Sequence, residues 1–290
     1  MKTKAFLFIC VTITFLSACQ KDFSFEIPTT ESIITSDSNL LKKYIELDTI
    51  GGIDTLTKTL YEYDNMRRLL SRKEKNYTDS FFNDRYYSYS GNDTLVSRML
   101  EIYYSTSQTD VFYDSAFTYF IRNSNNKIIK DSSIIFSIDL GITSFIKLVS
   151  DFTYFAGDSI ERSITIYDPV SSTNRFSFKQ IRNGNNIIKE SEYNFNGSPG
   201  SFTPNRIANF TYDNRYNPFY GEKINYPVTL NPNNYSDYFT PKNNLVLIDV
   251  SGFAEAVVYT YNTLGFPIKS VITFPGSSGY AIKGVFIYGN

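Results

Sequence analysis

The sequence predicts an all-β fold: an antiparallel meander of repeated hairpins, forming a single curved layer or an open roll. Three observations carry this expectation. The chain holds 24 Tyr and 25 Phe in 290 residues, and aromatic and β-branched side chains favour pleated sheet over helix. Aromatic residues recur at i and i+2, which puts both rings on one face of a strand and the polar residue between them on the other. Such runs are often followed by Asp or Asn and then, after a few turn-forming residues, by a second strand-like run, the order expected of a hairpin.

From the N-terminus, Lys2 and Lys4 precede an uncharged apolar run from Ala5 to Leu16. That run has the length of a secretory signal and is too short to cross a bilayer as a helix. It ends in Leu16-Ser17-Ala18-Cys19, which resembles the lipobox of bacterial lipoproteins. The resemblance implies a signal peptide over residues 1–18, cleavage before Cys19, and lipid on the Cys19 thiol. Residues 19–38 are then the lipidated cysteine and a polar tether without sustained period. Gln20-Lys21-Asp22 resembles the opening of the export signal that carries lipoproteins of Bacteroidetes-type bacteria to the outer face of the outer membrane. The implied address is the outer membrane, at the cell surface rather than on the periplasmic face.

Residues 39–290 form the β domain. Its units run Leu60-Tyr61-Glu62-Tyr63-Asp64-Asn65, Phe117-Thr118-Tyr119-Phe120, Phe176-Ser177-Phe178-Lys179, Phe210-Thr211-Tyr212-Asp213-Asn214 and Tyr259-Thr260-Tyr261-Asn262. Second strands follow at Lys127-Ile128-Ile129-Lys130, Asn186-Ile187-Ile188-Lys189 and Phe266 to Val271. Asn125-Asn126, Asn183-Gly184 and Leu264-Gly265 supply the turns, because Asn and Gly tolerate positive φ. The pattern resembles the YD repeat, the Tyr-Asp-bearing hairpin of Rhs-type proteins and of many Bacteroidetes lipoproteins. That resemblance implies a fold and no particular activity. The middle departs from it: Phe120 and Lys179 stand where Asp is expected, and residues 134–166 show no clear unit. There Ile134, Phe136 and Ile138, then Ile164 and Ile166, alternate as strands do, while a helix over Ser144 to Ser150 is the alternative.

Composition removes several function classes. A net charge of −1 and a pI near 5.7 leave no basic stripe for nucleic acid. The chain has no His, which excludes Ser-His-Asp and Cys-His catalysis and the common zinc sites. Of the two Cys, Cys10 lies in the leader and Cys19 takes lipid, so no disulfide is expected. No cofactor or metal is expected either.

Candidate chemistry is sparse. Ser144-x-x-Lys147 and Ser124-x-x-Lys127 have the spacing of a penicillin-binding nucleophile, but its companion Ser-Asp-Asn and Lys-Thr-Gly motifs are absent. Gly276-Ser277-Ser278-Gly279 reads as a loop, and Asn231-Pro232-Asn233-Asn234 with Asp237 lacks the order of a calcium loop. Asp139, Asp151, Asp158 and Glu161 could serve a glycoside hydrolase if two of them converged in a pocket. Asp-Ser/Thr-aliphatic tripeptides place Thr49, Thr55, Thr94, Ser115 and Ser159 in a sequence that resembles the O-glycosylation acceptor of Bacteroidetes proteins. The same tripeptide is also a natural turn-into-strand signal.

Tyrosine is the best binding material. Tyr86, Tyr87 and Tyr89, Tyr103 and Tyr104, and Tyr235 with Tyr238 are the densest groups, suited to sugar faces or protein contacts and equally to cross-strand ladders. The expected function is a lipid-anchored, non-catalytic binding or scaffold protein of the outer membrane. It would use a Tyr-rich sheet surface for a protein or glycan partner, with a carbohydrate-active hydrolase as the alternative. A membrane-spanning barrel is not expected, because the last residues are Tyr288-Gly289-Asn290 rather than an aromatic anchor, and the lipid makes a second anchor redundant.

Overall fold

The computed structural model describes residues 40–48, 55–78, 80–105, 112–139, 142–157, 159–167, 175–184, 186–194, 206–218, 242–250, 253–274 and 281–289. Their strands are β1 (Leu41–Asp48), β2 (Thr55–Tyr63), β3 (Leu69–Asn76), β4 (Phe81–Tyr89), β5 (Val96–Ser105), β6 (Phe112–Arg122), β7 (Ile128–Asp139) and β8 (Ile142–Phe155). β9 (Ser159–Tyr167), β10 (Arg175–Asn183), β11 (Asn186–Asn194), β12 (Arg206–Tyr216), β13 (Asn243–Val250), β14 (Phe253–Tyr261), β15 (Pro267–Thr273) and β16 (Ala281–Tyr288) complete the set.

All sixteen belong to one closed barrel, each strand antiparallel to its neighbours in sequence. The open layer or roll expected from the sequence is overturned by the seam, where β1 pairs with β16 and Tyr44 lies opposite Phe286. The all-β class and the hairpins stand. What local patterning cannot register is a pairing between the two ends of the meander. Sheet twist brings those ends round, and closure removes both bare edges. The helix considered over Ser144 to Ser150 is instead the middle of β8.

One rim carries the short turns and explains the repeat. Asp64 accepts the backbone N–H groups of Met66 and Arg68 on a single carboxylate oxygen. Asn123 takes Asn125 and Lys127, and Asn262 takes Leu264 and Phe266, in the same two positions. The residue three past each cap has positive φ: Arg67 at 63°, Asn126 at 60° and Gly265 at 84°. Asp213 keeps the pattern across a much longer connection, accepting the N–H groups of Arg215 and Asn244. The Asp or Asn of the repeat is therefore a turn cap, its side chain standing in for backbone acceptors. In the third hairpin the cap is Asn123, three residues past the Phe120 that interrupts the motif.

Tyrosines at the ends of strands on this rim have a further task. Tyr89 donates its hydroxyl to Leu69 O at 2.8 Å, Tyr154 to Ile128 O at 2.8 Å, and Tyr288 to Pro267 O at 2.8 Å. Each bond joins the end of one strand to the start of the strand before it, at the rim where no turn connects those two strands. Arg122 does the same for Val96 O at 3.3 Å. The tyrosine thus fastens unit to unit.

Alternation gives the wall two faces. Thr59, Tyr61 and Tyr63 on β2, and Asn83, Arg85 and Tyr87 on β4, are buried, while Leu60 between them is exposed. Side chains crowd on the concave side of a closed sheet, so the buried set faces inward. Near the turn rim Tyr61, Tyr87, Phe120, Phe152 and Phe286 pack into one apolar cluster, and Phe210, Ile248 and Val250 into a second.

Candidate functional site: the inner wall

A sixteen-stranded barrel is too wide for side chains to fill, and barrels of this size enclose water. Polar and charged side chains accordingly line the inner wall over β3 to β11, at the level of the first apolar cluster, with Arg72 opposite Tyr61, Asp131 opposite Phe120 and Arg162 opposite Phe152. Arg72 meets Glu74 at 2.5 Å, and Arg85 on β4 holds Glu101 on β5 through Nε at 2.9 Å and Nη2 at 2.7 Å. Thr118 and Ser133 share a hydrogen bond of 2.8 Å. Arg162 on β9 reaches across β8 to Asp131 on β7 at 3.3 Å, and Gln180 donates to Glu190 at 2.6 Å. Asp131 is fully buried and Arg162 nearly so.

Most of the described arginines and lysines fall on opposite faces, although Arg98 faces outward and Lys42 reaches the inward-facing Tyr63 ring. Arg72, Arg85 and Arg162 point inward, whereas Lys58, Lys73, Lys147 and Lys179 alternate onto the outer face. Guanidinium is planar and weakly hydrated, so it forms fixed pairs with carboxylates, as the inward arginines do. Over β12 to β16 the inner wall turns apolar, with Phe210, Ile248 and Val257 buried. Glu255 lies on that sector, and burial pushes its carboxyl above the usual carboxylate range.

The expected Tyr clusters are split, because successive residues of a strand face opposite ways. Tyr87 and Tyr89 face inward, Tyr87 fully buried, while Tyr86 faces outward beside Lys73. Tyr103 faces inward and stacks on Phe81 at 5.3 Å; Tyr104 faces outward and stacks on Phe82 at 4.7 Å. Tyr235 and Tyr238 lie outside the described residues, as do Cys19 and Thr49. Thr55 and Ser159 are half-buried at the first positions of β2 and β9, Thr94 is exposed in a turn, and Ser115 is buried within β6.

The carboxylates of the middle region do not gather in a pocket. Asp151 is on the outer face 3.4 Å from Lys130, and Glu161, also outward, accepts from Ser177 at 2.8 Å. Asp139 is the last residue of β7, and Asp158 is outside the described residues. Ser144 and Lys147 fall on opposite faces of β8, which separates that pair. Among the described residues no three metal-ligating side chains come together.

The charged belt itself was not read from the sequence. A usable signal existed: Arg85-x-Tyr87 and Ile160-x-Arg162 set a charge at i±2 from a residue that packs inward, which fixes the charge on the same face.

No family model and no curated protein matches the chain. Among solved structures, a porin-like protein from Bacteroides vulgatus ATCC 8482 aligns with a TM-score of 0.48 and 11% identity, over 87% of this chain and 99% of its own. A porin-like protein from Bacteroides uniformis ATCC 8492 aligns with a TM-score of 0.43 and 11% identity, over 89% of this chain and 100% of its own. Closure of the barrel is established by its own β1–β16 register, independently of these likenesses.

Proposed function

We propose that this chain is a non-catalytic binding protein of the outer membrane, anchored by lipid on Cys19, with its barrel standing in water rather than through the bilayer. The observation that carries this reading is the outer face over β9 to β13. There Glu161, Lys179, Lys189, Asn209 and Asp249 project outward along with Ser163 and Ser177. A basic residue facing lipid at mid-bilayer costs about 2–4 kcal/mol, and this polar run is interrupted by Ile181, which lies opposite Lys189 on β11.

The water-filled interior is the binding compartment. Tyr103 stacked on Phe81, with Glu101 and Arg85 on the same face, combines ring surfaces with charged hydrogen-bonding groups. That combination suits a glycan. The binding surface is thus the Tyr-bearing inner wall, in place of an exposed flat sheet.

The test is fractionation of a Cys19→Ala variant. A tethered barrel becomes soluble without detergent and melts cooperatively. A barrel that crosses the bilayer stays in the membrane fraction through alkaline carbonate extraction, and that result would refute the reading.

A further inference from the structure

The outer face is not uniform. On β4 to β8, alternating residues place Phe82, Ile102, Tyr104, Tyr113, Phe136 and Phe145 on one panel. Phe82 stacks on Tyr104, and the Phe136 and Phe145 rings meet at 5.4 Å. Tyr113 is 40% exposed, Phe136 37% and Phe145 40%. Adjacent strands lie ~4.8 Å apart, so the panel is about 20 Å wide, beyond the scattered apolar surface that needs no explanation.

Its borders are basic. Lys75 Nζ lies 4.5 Å from the Tyr77 ring and 5.4 Å from the Phe82 ring. Lys147 follows Phe145 by two residues on the same outward face of β8. Arg98 sits 5.5 Å from the Tyr119 ring. Asp84 lies within the panel, and Lys73 projects from the facing strand opposite it. Aromatic rings with an apolar body and a polar tip, rimmed by long basic side chains, match the boundary between hydrocarbon and anionic headgroups.

We propose that this panel seats the barrel on an anionic lipid surface, with the Phe and Tyr rings in the headgroup layer and Lys75 and Lys147 against lipid phosphates. The proposal rests on the tethered reading above. The 22 residues from Cys19 to Leu40 span up to about 70 Å when extended, enough for the panel to reach the membrane that holds the lipid. The barrel then lies with β4 to β8 toward the bilayer and its polar side, β9 to β13, toward water.

The experiment uses full-length Cys19→Ala protein purified without detergent. It is sedimented with vesicles of phosphatidylglycerol mixed with phosphatidylcholine, and with phosphatidylcholine alone. Anionic vesicles should carry it down, less so at about 0.5 M salt, where charges are screened. Phe136→Ser with Phe145→Ser should lower partitioning at least tenfold, and so should Lys75→Glu with Lys147→Glu. Val258→Ser, at an exposed apolar site on β14, should change nothing. If the phenylalanine variant melts early, the surface lysine pair decides. Soluble protein that ignores anionic vesicles, or an equal loss from Val258→Ser, overturns this proposal alone. Retention of Cys19→Ala through carbonate overturns it together with the tethered reading.

Discussion

The hydroxyl of Tyr212 on β12 donates to the backbone carbonyl of Ile187 on β11 at 2.7 Å. Tyr212 packs against the apolar cluster that contains Phe210, Ile248 and Val250, and burial pushes its hydroxyl pKa upward. The bond repeats that of Tyr89, Tyr154 and Tyr288, so one tyrosine links each of these hairpins to the one before it.

Tyr212→Phe should therefore cost about 1 kcal/mol, the net worth of one hydrogen bond. Tyr212→Ala should cost about 2–4 kcal/mol, because it also leaves a cavity. Chemical denaturation of both variants separates the two contributions. Equal losses would mean that the hydroxyl carries the whole effect.

The turn caps make a second prediction. Asn262→Ala removes the acceptor of two backbone N–H groups and should destabilise by about 1 kcal/mol. Gly265→Ala forces a side chain into φ +84°, with a cost of similar size. Asn126→Gly, already at positive φ, should be neutral. Thermal melts rank the three, and a destabilised Asn126→Gly would contradict the account of the turns.

The ion pair between Arg162 and Asp131 should show strong coupling. Arg162→Ala leaves a buried carboxylate without its guanidinium and should cost about 3–5 kcal/mol. Adding Asp131→Leu should recover part of that loss. A double-mutant cycle measures the coupling, and additive losses would mean the two groups are energetically independent.

Glu255 predicts a pH dependence. A carboxyl whose pKa is higher in the folded state favours folding while protonated. That contribution is full below the unfolded value of about 4.3 and is lost as pH rises through the raised folded value. Glu255→Gln, neutral throughout, should melt above the parent at pH 7 and match it near pH 4. The same melting temperature at both pH values would mean burial does not penalise this carboxylate.

The hairpins were legible because their causes are local. Tyr-Asp before a turn, Asn at positive φ and aromatics at i and i+2 act over a few residues, and Asp64, Asn123 and Asn262 do what those signals imply. Closure was not legible, since the pairing of Tyr44 with Phe286 depends on the accumulated twist of every strand between them. That neighbouring tyrosines do not share a face has a related cause. Tyr86-Tyr87 and Tyr103-Tyr104 are dense in sequence, yet each pair divides between lumen and exterior. The Arg-carboxylate belt assembles from strands distant in sequence, and only the i±2 spacing from inward residues marks its members.

The seam between β1 and β16 also governs how the protein is made. Leu41 cannot find Tyr288 until the strands between them have been synthesised. A product stopped before Ala281 would keep β1 and β15 as two bare edges, each a row of unsatisfied N–H and C=O groups that invites aggregation. Maturation is therefore all-or-none at its last step.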